Sequence, residues 1–491
     1  MNYKKMQDVL RTCICIAGGF LIVCLIIQLL YRYIQHGEQE KQAFGDLETE
    51  MNLTKFAAET AKEAEAAKES VESTDKAETA EESIPHIRVQ LLTQDYESKY
   101  HKEISVTSDS PYQVIFFSKD EDGNLVEVQQ KEYMAGEVFA AKAEEEKKAD
   151  EKTEDESSAV EICISVKEQN SASLRITSFT RADGCPEYKG TLHLYREEKG
   201  FILVNELPLE EYLYSVVSSE IPSGYPIEAQ KAQAVCARTY ARKCMERVQE
   251  NNAVADLDDS VSWQVYNNYR SSEISRAAVD ATSGEVLDVD DALYYSTSCL
   301  SEHRNDLDSD EKFAAFLDSM PDEDAEYGSP WIRWNVGIDH QTILEQLKLK
   351  YDCTAEQIDK IEVAERAGDG QVQKLRIVCG EQTIDVEGEY QIRNILSVKN
   401  SGIHLSDGST VERMRMLPSA YFVLGKSNWT ESETETLVNS EKVVYISGGG
   451  YGHGTGMSQC GAAAMAKDGA DYKEILQYYY ESDLTTLSQE K

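Results

Sequence analysis

Glu220 is an acid at a position where the pattern around it calls for an apolar residue. The stretch Leu207–Arg247, LPLEEYLYSVVSSEIPSGYPIEAQKAQAVCARTYARKCMER, holds two helical patterns joined by a Pro-Ser-Gly-Tyr-Pro turn. In the first, Leu209, Tyr212, Leu213, Val216 and Val217 recur at the three-and-four spacing of a buried helix face. Continuing that stripe lands on Glu220, and Pro222 then ends the helix. A carboxyl on the inner face of a helix C-terminus is partly desolvated and meets the negative end of the macrodipole. Both effects raise its pKa, as a general acid working near neutral pH requires. A solvated acid at a helix end would give the same letters, and the pattern leaves both readings open.

The second helical pattern carries a stripe of Ala229, Ala232, Cys236, Tyr240 and Cys244, suited to close packing. Lys231 and Arg238 lie two turns apart and share another face. An acid followed by a helix that presents two cations suits the binding and cleavage of a polar polymer. Taken singly, each cation also reads as an ordinary surface charge.

A glycine-rich segment far down the chain is the other chemical feature. Gly448–Gly461 packs seven glycines around Tyr451, His453, Ser458 and Gln459. It has no Gly-Lys-Ser/Thr ending and no G-x-G-x-x-G window, which excludes the phosphate-cradling loops. So many glycines imply positive φ or close approach of the backbone. Ser458 is placed to cap a helix over Cys460–Lys467, with Gly469 ending it. A Tyr, a His and an amide on such a loop suit the hydroxyl and acetamido groups of a sugar; a packed, hydrogen-bonded His453 and a purely capping Ser458 are the plainer alternatives.

The elements that must position these residues alternate in type, which implies an α+β fold of mixed sheets around a central helical pair carrying the acid. Strand-like runs occur at His86–Leu92, Pro111–Phe117, Val160–Val166 and Gly190–Leu207. Beyond the helical pair come a strand region at Ala278–Tyr295 and an acidic loop at Glu302–Asp324. A helix pattern at Gln341–Lys350 follows, then strands at Ile361–Val363, Val372–Val378 and Gln382–Val386, and a final helix around Tyr472–Tyr480.

Composition bounds the setting. The 491 residues carry a formal net charge of −40, which argues against nucleic acid as a partner. Thr12–Tyr31 (TCICIAGGFLIVCLIIQLLY) is an uncharged, mostly apolar run of about the twenty residues a helix needs to cross a bilayer. Lys4, Lys5 and Arg11 precede it, so the positive-inside rule predicts a cytoplasmic N-terminus and an extracytoplasmic remainder on a single-pass anchor. The expected organisation is a cytoplasmic tail over 1–11, the anchor over 12–33 and a disordered Ala/Glu/Lys linker over 34–83. A strand-rich region with a charged insertion would then occupy 84–184, and the domain carrying the acid 185–485. The cysteines number eleven, with no C-x-x-C pair, and give no disulfide framework.

Two segments, YLYSVVSSEIPSGYPIEAQKAQAVCARTYA (Tyr212–Ala241) and GGGYGHGTGMSQCGAAAMAKDGADYKEILQYYY (Gly448–Tyr480), resemble the SpoIID/LytB family. YKGTLHLY (Tyr188–Tyr195), WQVYNN (Trp263–Asn268), SPWIRW (Ser329–Trp334), RNIL (Arg393–Leu396) and LPSAYF (Leu417–Phe422) are similar to it as well. The resemblance implies a membrane-anchored lytic transglycosylase, cleaving the MurNAc–GlcNAc bonds of denuded peptidoglycan strands during sporulation engulfment. A non-catalytic glycan-binding scaffold that activates a cell-wall amidase is the alternative. The catalytic glutamate of the family falls on Glu220, its functional lysine and arginine on Lys231 and Arg238, and its Ser-Gln pair on Ser458 and Gln459. The implied partners are glycan strands, a sporulation amidase and a polytopic membrane protein. No cofactor is required. Some members carry zinc near a Ser-Gly-Gly or Ser-Cys-Gly turn; here the matching segment, YYSTSCLSEHRND, lacks the glycine but keeps Cys299 and His303. These could be half of a structural tetrahedral zinc site, although no other ligand pair is near in sequence.

Overall fold

The computed structural model describes residues 85–143, 159–167, 172–181, 184–249, 253–260, 263–266, 272–290, 292–298, 304–320, 328–425 and 442–486. The expected anchor and linker, and both Cys299 and His303, lie outside the described residues. Among the described residues no helix is long and apolar enough to cross a membrane. The architecture is α+β, with several sheets and eight described α-helices.

The first ten strands are β1 (His86–Leu91), β2 (Glu103–Thr107), β3 (Tyr112–Lys119), β4 (Leu125–Tyr133), β5 (Val138–Lys142), β6 (Glu161–Val166), β7 (Leu174–Ile176), β8 (Glu187–Tyr188), β9 (Thr191–Glu197) and β10 (Gly200–Pro208). With β11 (Leu257–Asp258) they form a seven-stranded sheet in the order β11-β1-β10-β9-β6-β3-β4 and a four-stranded sheet in the order β5-β2-β7-β8. The alternation is legible in β6, where Ile162, Ile164 and Val166 enter the core and Cys163 and Ser165 face the other way, half-buried. The large sheet draws strands from both sides of residue 184 and pairs β6 with β9 directly. The expected division between 84–184 and 185–485 is therefore not a structural boundary, because the hydrogen-bonded ladder and one shared core run across it.

The chain leaves β10 straight into α1 (Leu209–Glu220), turns at Pro222–Pro226 and enters α2 (Ile227–Gln249). Leu209, Tyr212, Leu213, Val216 and Val217 of α1 are all buried in the core that also holds Leu203 and Leu207 of β10. The Ala229, Ala232 and Cys236 stripe of α2 is fully buried, and its small side chains let three helices besides α1 approach it. These are α3 (Glu273–Ala281), α7 (Gln459–Lys467) and α8 (Tyr472–Tyr480). In α3 a helix replaces the strand expected from Ala278 onward. Ser272 caps it by accepting from the Ser275 N–H, and Ile274, Ala278 and Val279 bury one face. Likewise the acidic stretch read as a loop contains α4 (Asp310–Ser319), capped by Ser309, with Phe313 and Leu317 buried. Besides Phe313 and Leu317, only the half-buried Phe316 adds a large apolar contact, too few to show against the charge around them.

Short strands β12 (Glu285–Leu287) and β13 (Tyr294–Tyr295) follow α3. A second core gathers β14 (Trp334–Asp339), α5 (His340–Lys350), β15 (Lys360–Arg366), β16 (Val372–Cys379), β17 (Gln382–Glu387) and α6 (Glu389–Ile395). With β18 (Ile403–Leu405), β19 (Thr410–Val411), β20 (Phe422–Leu424) and β21 (Val443–Gly448), β14 makes a five-stranded sheet that delivers the chain into the glycine-rich segment. There β22 (Met457–Ser458) pairs in parallel with β13, and β23 (Leu484–Thr486) closes the described fold against β12.

Candidate active site

The β13–β22 pairing is what brings the glycine-rich segment to the helical pair. Tyr294 lies opposite Met457 and Tyr295 opposite Ser458. The Met457 N–H donates to Leu293 O at 3.0 Å, and the Cys460 N–H to Ser296 O at 3.0 Å. So tight a junction requires glycine: at Gly456, φ is +80° and a Cβ would sit 1.9 Å from the carbonyl oxygen of Leu293. Ser458 is fully buried and caps α7, its Oγ accepting from the Gly461 N–H at 3.1 Å.

Gln459, the first residue of α7, reaches the joint between α1 and α2. Its Nε2 donates to the backbone carbonyl of Glu220 at 2.9 Å and to Gln233 Oε1 at 3.2 Å. Gln233 is fully buried on α2, and its own Nε2 has no hydrogen-bond partner among the described residues. A buried donor left over beside the joint is a group that a bound polar molecule could satisfy.

Glu220 closes α1 and is half-buried. Its Oε1 accepts from the Val265 N–H at 2.5 Å. Burial raises its pKa to about 7, opposed by the Val265 N–H and the Tyr294 hydroxyl, which favour the charged form. Tyr294 is in turn fixed by Gln264, whose Nε2 donates to the Tyr294 hydroxyl at 3.3 Å and to Ala237 O at 3.1 Å; the Tyr212 hydroxyl donates to Gln264 Oε1 at 3.1 Å. Among the described residues, none of the influences on Glu220 is a second carboxylate. The nearby helix acids are each engaged elsewhere: Glu210 with Arg238, Glu211 with Lys189 and Glu228 with Lys231.

Lys231 and Arg238 do share a face of α2, but that face is covered. Lys231 pairs with Glu228 at 2.7 Å and lies 5.6 Å from the ring centroid of Tyr472. Arg238 is 0% exposed; its Nε and one terminal nitrogen grip Glu210 at 2.8 and 2.7 Å, and it also donates to Glu285 O and Val279 O. At about 100° per residue both lie roughly on the opposite side of α2 from Gln233, the residue beside the joint. For Arg238, the expectation that it touches a polymer gives way to a framework role; Lys231, whose side chain is 20% exposed beside Glu228 and Tyr472, stays at the surface of the fold.

Tyr451 is half-buried, its ring 4.6 Å from that of Trp331, and its backbone bridges Thr297. In His453, Nε2 donates to Tyr294 O at 2.8 Å and Nδ1 accepts from the Thr455 N–H at 3.2 Å, and burial lowers its pKa. It is thus a neutral, fully bonded imidazole that ties the glycine-rich loop to β13. The residues that the sequence reading passed over are Gln233, Gln264, Val265 and Tyr294. Gln233 carried a signal, since a polar residue beside an alanine-rich packing stripe is an anomaly of the same kind as Glu220. Val265 acts through its backbone N–H, which no side-chain pattern reveals.

Fold and site together define an α+β protein with one desolvated carboxyl at the joint of a helical hairpin, overlaid by a glycine-rich loop and the helix it starts. The family model described as stage II sporulation protein (SpoIID) matches residues 197–288, so this segment is a SpoIID-family domain. A domain of unknown function, DUF8618, matches residues 276–456. Among relatives, an uncharacterized protein of Brachyspira hyodysenteriae is 29% identical over 303 residues, 60% of this chain and 71% of that protein. Stage II sporulation protein D of Bacillus subtilis is 25% identical over 283 residues, covering 57% of this chain and 74% of its own length. The amidase enhancer of Bacillus subtilis is 28% identical over 300 residues, 56% of this chain but 40% of that protein.

Proposed function

We propose that this protein acts on the cell wall during sporulation as a lytic transglycosylase, with Glu220 as its acid. The observation that carries the reading is the Glu220 carboxyl, held near pKa 7 by burial with no second carboxylate acting on it among the described residues. Protonated Glu220 donates to the glycosidic oxygen between MurNAc and GlcNAc as positive charge develops at C1. A two-carboxylate hydrolase needs a second acid as base or nucleophile, and the acids of the helical pair are engaged in ion pairs. Attack by the sugar's own C6 hydroxyl removes that need: the C1–O bond to the leaving sugar breaks, a C1–O6 bond forms, and Glu220 recovers the O6 proton. The product carries a 1,6-anhydro end. We assign the binding of sugar hydroxyl and acetamido groups to Gln459, Gln233 and Tyr451, and a stacking face to exposed Trp263, two residues before Val265. An extracytoplasmic location on an N-terminal membrane anchor, alongside a wall amidase, belongs to the same proposal.

The name of one relative, amidase enhancer, favours a second reading, a glycan-binding scaffold that activates an amidase. Digesting denuded glycan strands with the wild-type protein and with Glu220→Gln, read by mass spectrometry, separates them. Transglycosylation predicts anhydro-ended fragments from the wild type and a loss of roughly 10²–10⁴ in the variant. Fragments from both proteins would exclude Glu220 as the acid; binding without fragments from either would favour the scaffold.

A further inference from the structure

Away from this site, the outer face of the seven-stranded sheet carries three different metal-ligating groups at adjoining positions. Glu161 and Cys163 are two residues apart on β6 and so share a face, and His193 lies directly opposite Cys163 on β9. Cys163 Sγ is 3.3 Å from His193 Nδ1 and 3.4 Å from Glu161 Oε1, and His193 Nδ1 is 2.9 Å from the same carboxylate oxygen. A tetrahedral zinc ion with bonds of about 2.0–2.3 Å needs ligand separations of about 3.6 Å for S–N, 3.5 Å for S–O and 3.3 Å for N–O. The three edges already lie within about 0.4 Å of those values.

The next strand supplies what a ligating histidine requires. Glu206 on β10 places Oε2 3.2 Å from His193 Nε2. When a metal displaces the proton that Nδ1 shares with Glu161, the ring therefore keeps its Nε2 proton against a carboxylate and turns Nδ1 to the metal. That carboxylate–imidazole arrangement fixes tautomer and orientation in metal sites. Tyr195 stacks beside the ring, interplanar angle 10°, and narrows its freedom further. The His193 and Glu161 side chains are only 15% and 11% exposed, and Cys163 is half-buried, so the cluster is shielded yet reachable.

The geometry points to a zinc site formed by the Cys163 thiolate, His193 Nδ1 and the Glu161 carboxylate, with Glu206 positioning the imidazole and water completing the tetrahedron. Bound there, zinc staples β6 to β9 where the sheet crosses residue 184. It uses neither Cys299 nor His303, and it does not depend on the reaction proposed for Glu220.

The test uses the full chain carrying Cys299→Ser and His303→Ala, stripped of metal and titrated with cobalt and then zinc. One equivalent of cobalt should give the thiolate charge-transfer and intense d–d bands of a tetrahedral sulfur site, displaced by zinc. Cys163→Ser should abolish the charge-transfer band, and Glu206→Gln should weaken binding by about 10–100-fold. In the same background, zinc should protect Cys163 from alkylation, read on the peptide carrying it. Absence of a cobalt band in that parent chain, its survival in Cys163→Ser, or equal Cys163 alkylation with and without zinc would each overturn the assignment. The alkylation comparison needs no variant at the cluster, so it decides the matter even if Cys163→Ser does not fold.

Discussion

A single carboxyl at pKa about 7 has two measurable consequences, one for rate and one for stability. As general acid, Glu220 is competent only while protonated, so cleavage should fall as pH rises through about 7. A profile with no alkaline limb near that value would count against the assignment. For stability the sign follows from the direction of the shift. The folded pKa lies above the ordinary 4.5, so the folded state binds more protons between 4.5 and about 7, and stability is lost as pH rises through that window. At about 1.4 kcal/mol per unit the full cost above pH 7 is roughly 3 kcal/mol. Glu220→Gln should therefore melt higher than wild type at pH 8 and lose that advantage below pH 4.5; equal melting at pH 8 would show that the carboxyl is not desolvated. Trp263, exposed two residues before the Val265 N–H that Glu220 accepts, should when changed to Ala raise KM about fivefold, near 1 kcal/mol of lost stacking, while leaving the melting temperature unchanged.

At the scale of elements, α2 is the part on which the others converge, and Arg238 locks it. Its guanidinium is 0% exposed and binds Glu210 of α1, together with carbonyls of α3 and β12. Arg238 is buried while Glu210 is 28% exposed, so Arg238→Ala strands a half-solvated carboxylate and buried carbonyls. It should cost about 3 kcal/mol, the lower end for a buried pair, read by denaturant unfolding. Pairing it with Glu210→Leu should recover part of that loss. If Arg238 instead acts only on substrate, the single variant would keep its stability and lose activity alone. The helices were legible in the sequence because burial and periodicity agree there: the α1 stripe, the bounds of α8 and the Ser458 cap all follow from residue type and spacing. The orientation of Arg238 was not legible, since a cation at a surface-compatible spacing gives no sign that Glu210 waits 28 residues upstream. Nor was α3, whose single helical turn of apolar residues, Ile274 and Ala278–Val279, sits inside a β-like stretch. At the site, Glu220 announced itself by breaking a stripe, whereas Val265 and Tyr294 reach it through β-pairing and a loop path that only the assembled chain fixes.

The whole molecule is joined through the seven-stranded sheet, and this limits how it can be divided. The family model begins at Glu197, the last residue of β9, so it omits β1, β3, β4 and β6 and all but one residue of β9, leaving only β10 and β11 of the sheet inside it. The omitted strands β1, β3 and β6 bury Ile87, Val89, Leu91, Val114, Phe116, Ile162 and Ile164 in the same core as Leu203 of β10 and Val216 of α1. A chain cut at residue 184 would leave β9 and β10 as a hairpin alone, because β11 pairs with β1, and would leave one apolar face open beneath the acid-bearing helix. A lone hairpin with an uncovered face is marginal in water. Residues 185–491 should therefore fail to unfold cooperatively by near-UV circular dichroism and should bind a hydrophobic dye, whereas residues 84–491 should show a single sharp transition. A cooperative melt from the shorter chain would mean that the first strands are an appendage. On the pairing observed they are the other half of the sheet from which α1, and with it Glu220, is launched.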